Sequence, residues 1–239
     1  MKNNYLIVAH PDDEIFWASY ISQNLKKLKI LCLTNKNNKS RCQEFKNVCR
    51  IIKKDNEIFS FKDVGNFRWG DELDEFVNKL DINKESIIIT HSPHGEEHNH
   101  PQHIQIYNAV YKNSKTRARQ AFFSNIRISY FSYKRLEKGS NFSLYKIRIN
   151  YINIIKSFYL SVAKFRIRRP KKSVFSIIQL FLYCYKILNY KYMYEFYIDL
   201  DNKHKLLENY KSQNLSDYNF YDSKKEFLYT QNLTDGLNT

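Results

Sequence analysis

Between residue 5 and about residue 135 the chain alternates short apolar runs, bounded by polar turns, with longer segments whose apolar positions recur at helical spacing. That alternation is the signature of βαβ units. Strands are predicted at Tyr5–Ala9, Lys29–Leu33, Glu57–Phe61, Ser86–Thr90 and about Ile126–Tyr133. Helices are predicted at about Glu14–Lys27, Ser40–Lys53, Leu73–Leu80 and Pro101–Tyr111. The expectation is an α/β domain around a mostly parallel, open sheet. In such sheets sites lie beyond the carboxyl ends of the strands, at the strand-to-helix loops.

The pattern changes after Phe142. The run "FSLYKIRINYINIIKSFYLSVAKF" carries Lys146, Asn150, Asn153, Ser157, Ser161 and Lys164 as a polar stripe at helical spacing, and "VFSIIQLFLYCYKILNY" is apolar nearly all round. Between them "KFRIRRPKK" sets six basic residues in nine around Pro170, a helix breaker. Phe142–Tyr192 therefore reads as two helices joined by a cationic turn, a C-terminal helical embellishment within one domain spanning 1–239. Lys156 and Lys186 interrupt the two halves, which speaks against a transmembrane hairpin.

Charge adds a partner class. The chain has 39 Lys+Arg against 24 Asp+Glu, a formal net charge of +15, which favours phosphate, nucleic acid or an anionic membrane surface. No RNA-binding signature is visible, so nucleic acid is disfavoured. The basic turn near Pro170 instead suits an anionic membrane surface, with an oligomer interface as the alternative use of the same apolar helices. Cys32, Cys42, Cys49 and Cys184 form no CxxC pair and read as reduced thiols. The opening "MKNNYLIVAH" is too short in apolar residues for a signal sequence. The expected location is cytoplasmic, peripheral to the inner face of the membrane.

Two clusters carry the chemistry. "VAHPDDEIFW" crowds His10, Asp12, Asp13 and Glu14 behind the first strand, and "THSPHGEEHNHPQH" holds five of the seven histidines behind the fourth. Carboxylates and imidazoles gathered at the end of a buried strand are costly without a cation or a chemical task. Alone, Asp12-Asp13 would be an N-cap with a first-turn acid. With both clusters at equivalent strand ends, His10 and Asp13 can meet His103 around one small cation if the strands are neighbours. Two imidazoles and a carboxylate with an open fourth position form the ligand set of a hydrolytic zinc site. Pro101 suits the first position of a helix, which puts His100 near its N-cap. His91, His94 and His98 are expected at the pocket mouth or in water.

"AHPDDE" followed by "HPQH" resembles the PIG-L/LmbE-like family of zinc-dependent N-deacetylases, which act on N-acetylglucosamine-type sugars. "TNKNNKSRCQEF", with Arg41 and Glu44, and "YIDLDNKHKLLENYKSQ", ending in Ser212 and Gln213, resemble further family segments. The resemblance implies a Rossmann-like three-layer sandwich, a Zn2+ cofactor held by His10, Asp13 and His103, Asp12 as general base and His100 as the second catalytic group. It implies an N-acetylated amino sugar as substrate, in a glycolipid, polysaccharide precursor or nucleotide sugar. Two departures stand out. Gly95–Asn99 is about one residue longer than the common family version, and Gln102 stands where an aspartate is frequent. They leave the outer carboxylate partner of the histidine ligand unassigned.

Arg41 and Arg68 are candidate substrate contacts, because guanidinium suits phosphate and sugar hydroxyls alike. For Arg41 the plain alternative is pairing with Glu44. Trp69, beside Arg68, is either a pocket wall or a core plug. A different class of function, a non-catalytic basic protein binding membrane or nucleic acid on the same fold, would have no need of both "HPDD" and "HPQH".

Overall fold

The computed structural model describes residues 3–65, 67–96, 100–114, 117–124, 131–138, 142–149, 192–213 and 224–230. β1 (Asn4–Val8), β2 (Leu28–Thr34), β3 (Asp55–Phe61), β4 (Ile87–Thr90) and β5 (Arg119–Ser124) are joined through α1 (Asp13–Phe16), α2 (Ser19–Asn24), α3 (Lys39–Ile51), α4 (Gly70–Asn78) and α5 (Pro101–Ser114). β6 (Phe131–Lys138), β7 (Phe142–Ile149), β8 (Tyr192–Tyr197), α6 (Leu200–Leu207) and β9 (Lys225–Thr230) follow. Among the described residues the sheet order is β3-β2-β1-β4-β5-β9-β8-β7-β6. The pairs β3-β2, β2-β1, β1-β4 and β4-β5 are parallel. From β5 outward every pair is antiparallel.

β1 shows why this is a three-layer α/β sandwich. Leu6 and Val8 enter one core with Ile15 and Ile21, Phe45 and Val48 of α3, and Leu206 and Leu207 of α6. Tyr5, Ile7 and Ala9 enter the other with Leu73 and Val77 of α4 and Ile106 and Val110 of α5. Successive strand side chains point to opposite faces, so a strand covered on both faces is apolar throughout. Each such fully buried Leu, Ile or Val contributes roughly 1.5–3 kcal/mol of transfer free energy.

The four predicted strands nearest the N-terminus and the helices Ser40–Lys53, Leu73–Leu80 and Pro101–Tyr111 are found within a few residues of their expected bounds. Glu14–Lys27 is instead two short helices broken at Trp17 and Ala18. Distant residues satisfy the broken backbone. Lys203 Nζ donates to Phe16 O at 2.8 Å, and the Ser19 and Tyr20 N–H groups donate to the two Glu226 carboxylate oxygens, each at 2.9 Å. Of the expected strand at about Ile126–Tyr133, residues 131–133 open β6 and 126–130 lie outside the described residues.

Phe142–Ile149, expected to open a helical pair, is a strand paired with β6 and β8. Tyr192 likewise begins β8, and 150–191 lies outside the described residues. No helix among the described residues is long and apolar enough to cross a membrane.

Candidate metal centre

β1 and β4 are hydrogen-bonded neighbours, with Ile7 opposite Thr90, so the loops after them share one end of the sheet. The first loop turns sharply at Asp12, whose φ of 111° is rare for a residue with a side chain. The Ile15 and Phe16 N–H groups donate to Asp12 O, and the Asp12 N–H donates to Glu14 Oε2 at 3.0 Å. Pro11 O accepts from Arg41 Nη2 at 3.2 Å and from Gln213 Nε2 at 2.8 Å. Tyr210 OH donates to Glu14 Oε1. The second loop runs from β4 to α5, whose first turn carries Gln102 and His103.

Asp13 Oδ2 lies at the centre. It accepts the His10 backbone N–H at 2.8 Å and stands 3.3 Å from His10 Nδ1, 3.3 Å from His103 Nε2 and 3.5 Å from His91 Nε2. The outer faces of the imidazoles are engaged. His10 Nε2 is 2.8 Å from Gln102 Oε1 and 3.3 Å from Asp63 Oδ1, both acceptors, so it carries the proton. His103 Nδ1 bonds Glu96 Oε2. His91 Nε2 accepts the Ala9 N–H at 3.1 Å, and its Nδ1 lies 3.2 Å from the same Glu96 oxygen. The His91 and His103 rings stack at 3.7 Å, and His100 stacks on the other side of His103 at 4.3 Å.

With those outer protons assigned, His10 Nδ1 and His103 Nε2 present lone pairs to a carboxylate oxygen, and the buried His103 Nε2 has no hydrogen-bond partner. Acceptors facing acceptors at this range require a proton or a cation between them. Bonds of about 2.0–2.1 Å in a tetrahedron set ligand atoms about 3.3 Å apart, which matches the Asp13–His10 and Asp13–His103 separations of 3.3 Å. Among the described residues, the donor trios close enough to hold one ion are His10–His100–His103 and Asp13–His91–His103, and both contain His103. His91 is the poorer donor, since its Nε2 already accepts the Ala9 N–H.

The electrostatics report the same demand for positive charge. Burial would lift Asp13, yet the close imidazoles of His103, His10 and His91 hold it well below its usual value. Asp12 goes the other way, raised by burial and by the Asp13 charge against the pull of Arg41 and His10. Burial disfavours the cationic form of His10, but Asp13 and Asp63 raise it to about 10. Burial lifts Glu96 less than His91 and His103 lower it, leaving it at about 2. Burial and the neighbouring His103 and His10 charges push His100 down to about 4.

The structure thus brings Asp12, Asp13, His10, His100, His103 and Arg41 together. Arg41 does not pair with Glu44. Its Nη2 lies 3.9 Å from Asp12 Oδ2 and its Nη1 3.9 Å from Asp63 Oδ2, while Glu44 accepts the Ser212 N–H at 2.8 Å. Arg68 is exposed and makes no hydrogen bond or ion pair among the described residues, and Trp69 is a plug in the α4–α5 core. His91, expected near water, is fully buried, and His98 lies outside the described residues. Asp63 and Glu96 went unassigned in the sequence. Glu96 had one legible signal, an acidic pair inside the lengthened histidine-rich loop.

Residues 5–113 match the PIG-L family, GlcNAc-PI de-N-acetylase, which bears out the resemblance carried by the two motifs. In fold the chain is similar to the A40926 pseudoaglycone deacetylase, at 10% identity and a TM-score of 0.53, with 96% of each chain covered. It is also similar to a triple mutant of a deacetylase of the teicoplanin biosynthetic pathway, at 11% identity and a TM-score of 0.52, with 96% of this chain and 97% of that one covered. A 4-carboxy-2-hydroxymuconate hydratase from Pseudomonas putida KT2440 aligns at 16% identity and a TM-score of 0.37, over 52% of this chain and 65% of that one. The chain thus spans about two thirds of that hydratase's length. No curated protein matches in sequence.

Proposed function

We propose, on the premise that residues 5–113 belong to the PIG-L family, that this protein is a zinc-dependent hydrolase removing the N-acetyl group from an N-acetylated amino sugar. One observation supports the reading: His10 Nδ1 and His103 Nε2 each lie 3.3 Å from Asp13 Oδ2 while the other ring nitrogens of both histidines are engaged by Gln102, Asp63 and Glu96. A purely structural cluster would gain by pairing those atoms with protein donors.

An amide is a poor electrophile with a poor leaving group, so the site must activate water, polarise the carbonyl and protonate nitrogen. Zinc held by His10, Asp13 and His103 would supply the Lewis acidity, lowering the pKa of water from about 15.7 towards roughly 7. Asp12, buried beside Asp13 but turned by its own strained backbone, takes the proton of the attacking water. His100, half-buried against His10 and His103, assists as a neutral imidazole by hydrogen-bonding the acetyl oxygen or the departing amine, and the proton Asp12 takes from water is the one the amine receives. Arg41, reaching over Pro11 towards Asp12 and Asp63, offers guanidinium N–H groups to a sugar hydroxyl or phosphate. Arg68 belongs to the outer rim of the same reading.

The test is metal content of the purified protein together with acetate release from free, lipid-linked and nucleotide-linked N-acetylhexosamines. One zinc per chain with acetate from one of these classes supports the reading, and stoichiometric zinc without acetate from any of them removes the deacetylase assignment. We also propose that the basic run Lys164–Lys172 holds the enzyme on an anionic membrane surface, on the strength of its six cationic residues around Pro170. Vesicle co-sedimentation that needs no anionic lipid, or that survives replacement of Lys164, Arg166, Arg168, Arg169, Lys171 and Lys172 by Gln, would refute it.

A further inference from the structure

We infer that Glu96 is a positioning residue for the metal centre: it holds His103 as its Nδ1–H form, so that the Nε2 lone pair of His103 is turned on Asp13. The inference deepens the metal-hydrolase reading and rests on it. The position often filled by an aspartate in related motifs is Gln102 here, and Gln102 does not serve His103. Its Oε1 lies 2.8 Å from His10 Nε2, and its Nε2 donates to Asp63 at 3.2 Å. The outer partner of the histidine ligand comes instead from six residues earlier in the chain, inside the lengthened loop.

The loop is built to deliver that carboxylate. Gly95 and Glu96 are consecutive left-handed residues, with φ of 67° and 58°. For a residue with a side chain such a conformation persists where its surroundings over-determine it. Ser92 and Glu96 supply the determination reciprocally. The Ser92 N–H donates to Glu96 Oε1 at 2.9 Å, and the Glu96 N–H donates to Ser92 Oγ at 3.2 Å. The side chain is thereby driven inward, where its second oxygen meets His103 Nδ1 and stands 3.2 Å from His91 Nδ1. His91 is held from its other nitrogen by the Ala9 N–H, and its ring stacks on His103 with 14° between planes. One carboxylate therefore fixes both the proton position and the ring plane of the ligand histidine, the kind of outer contact that orients imidazole on a metal.

Glutamine cannot substitute. If its oxygen keeps the Ser92 N–H, its NH2 faces His103 Nδ1 and moves that proton to Nε2, which cancels the ligand lone pair. If its oxygen faces the imidazoles, its NH2 opposes the Ser92 N–H. The experiment is chelator competition for Zn2+ on the full chain. Wild type should bind one zinc, Glu96→Gln should bind about 10–100-fold more weakly, and Glu96→Asp, which keeps the charge on a shorter arm, should recover part of the loss. Equal affinity in wild type and Glu96→Gln overturns the inference while leaving the metal reading intact. A wild type that binds no zinc overturns the metal reading itself, and this inference with it. If neither variant folds, zinc-loaded wild type decides by proton NMR in water. An exchange-protected imidazole N–H resonance from His103 Nδ1 is expected, and its absence overturns the assignment.

Discussion

Gly95→Ala tests whether the tight loop before α5 sets the position of the ligand histidine. Gly95 has φ 67°, and a Cβ built there would sit 2.6 Å from both the N and the O of His100 and 3.0 Å from Ile104 Cγ1. The left-handed backbone alone costs an L residue roughly 1–2 kcal/mol. Overpacking adds roughly 1–3 kcal/mol, at the upper end here because the atoms met are backbone. The sum is about 2–5 kcal/mol, which for a chain of this size lowers Tm by roughly 4–20 °C. Gly70 supplies the internal control, with φ 51° and nothing within 4 Å of the added carbon. Gly70→Ala should therefore show only the backbone part, about 1–2 kcal/mol. Since the His100 backbone opens the helix that bears His103, Gly95→Ala should also weaken zinc binding while Gly70→Ala should not. Circular-dichroism melting and chelator competition read the two effects. Equal Tm losses in the two variants, or a Gly95→Ala protein with wild-type zinc affinity, would refute the reasoning.

Asp13→Ala and His103→Ala should lose zinc, whereas Asp12→Ala and His100→Ala should keep it and lose about 10²–10⁴-fold in turnover; zinc analysis showing equal loss in Asp12→Ala and Asp13→Ala would sink the division of labour. Burial lifts Glu226 to about 7 from a usual 4.5, more than Lys203 and the Ser19 and Tyr20 N–H groups pull it down. The folded chain then holds a proton there that the unfolded chain has released, so stability should decline as pH rises from about 4.5 to about 7. Glu226→Gln should flatten that decline in urea titrations, and an unchanged slope would contradict it.

The parallel core was legible because its strands and helices report themselves through local periodicity, and the two ligand-bearing loops because they fall at equivalent strand ends. Most of what could not be read depends on partners far away in sequence. The break at Trp17–Ala18 exists because Lys203 and Glu226 take up its free backbone groups, and neither residue signals this from its own surroundings. Glu96 has partners close in sequence, Ser92, His91 and His103, but the left-handed turn at Gly95 and Glu96 that directs its carboxylate onto them carries no periodic signal. Arg41 looked like a partner for Glu44 three residues on, but each bonds across to another segment, Pro11 for one and Ser212 for the other.

The contacts from Tyr210, Ser212 and Gln213 onto Glu14, Glu44 and Pro11 have a consequence for the order of synthesis. All three proposed ligands, the proposed base and their supporting loops have left the ribosome long before residue 210 is made, and N-terminal segments begin to organise first. Yet the loop carrying Asp12 and Asp13 lacks its outer brace until then, with the Glu14 carboxylate missing the hydroxyl that meets it in the folded chain. A nascent chain can therefore display the whole catalytic inventory without a finished site. The outer brace of that loop is available only once Tyr210, Ser212 and Gln213 are made, some two hundred residues after it.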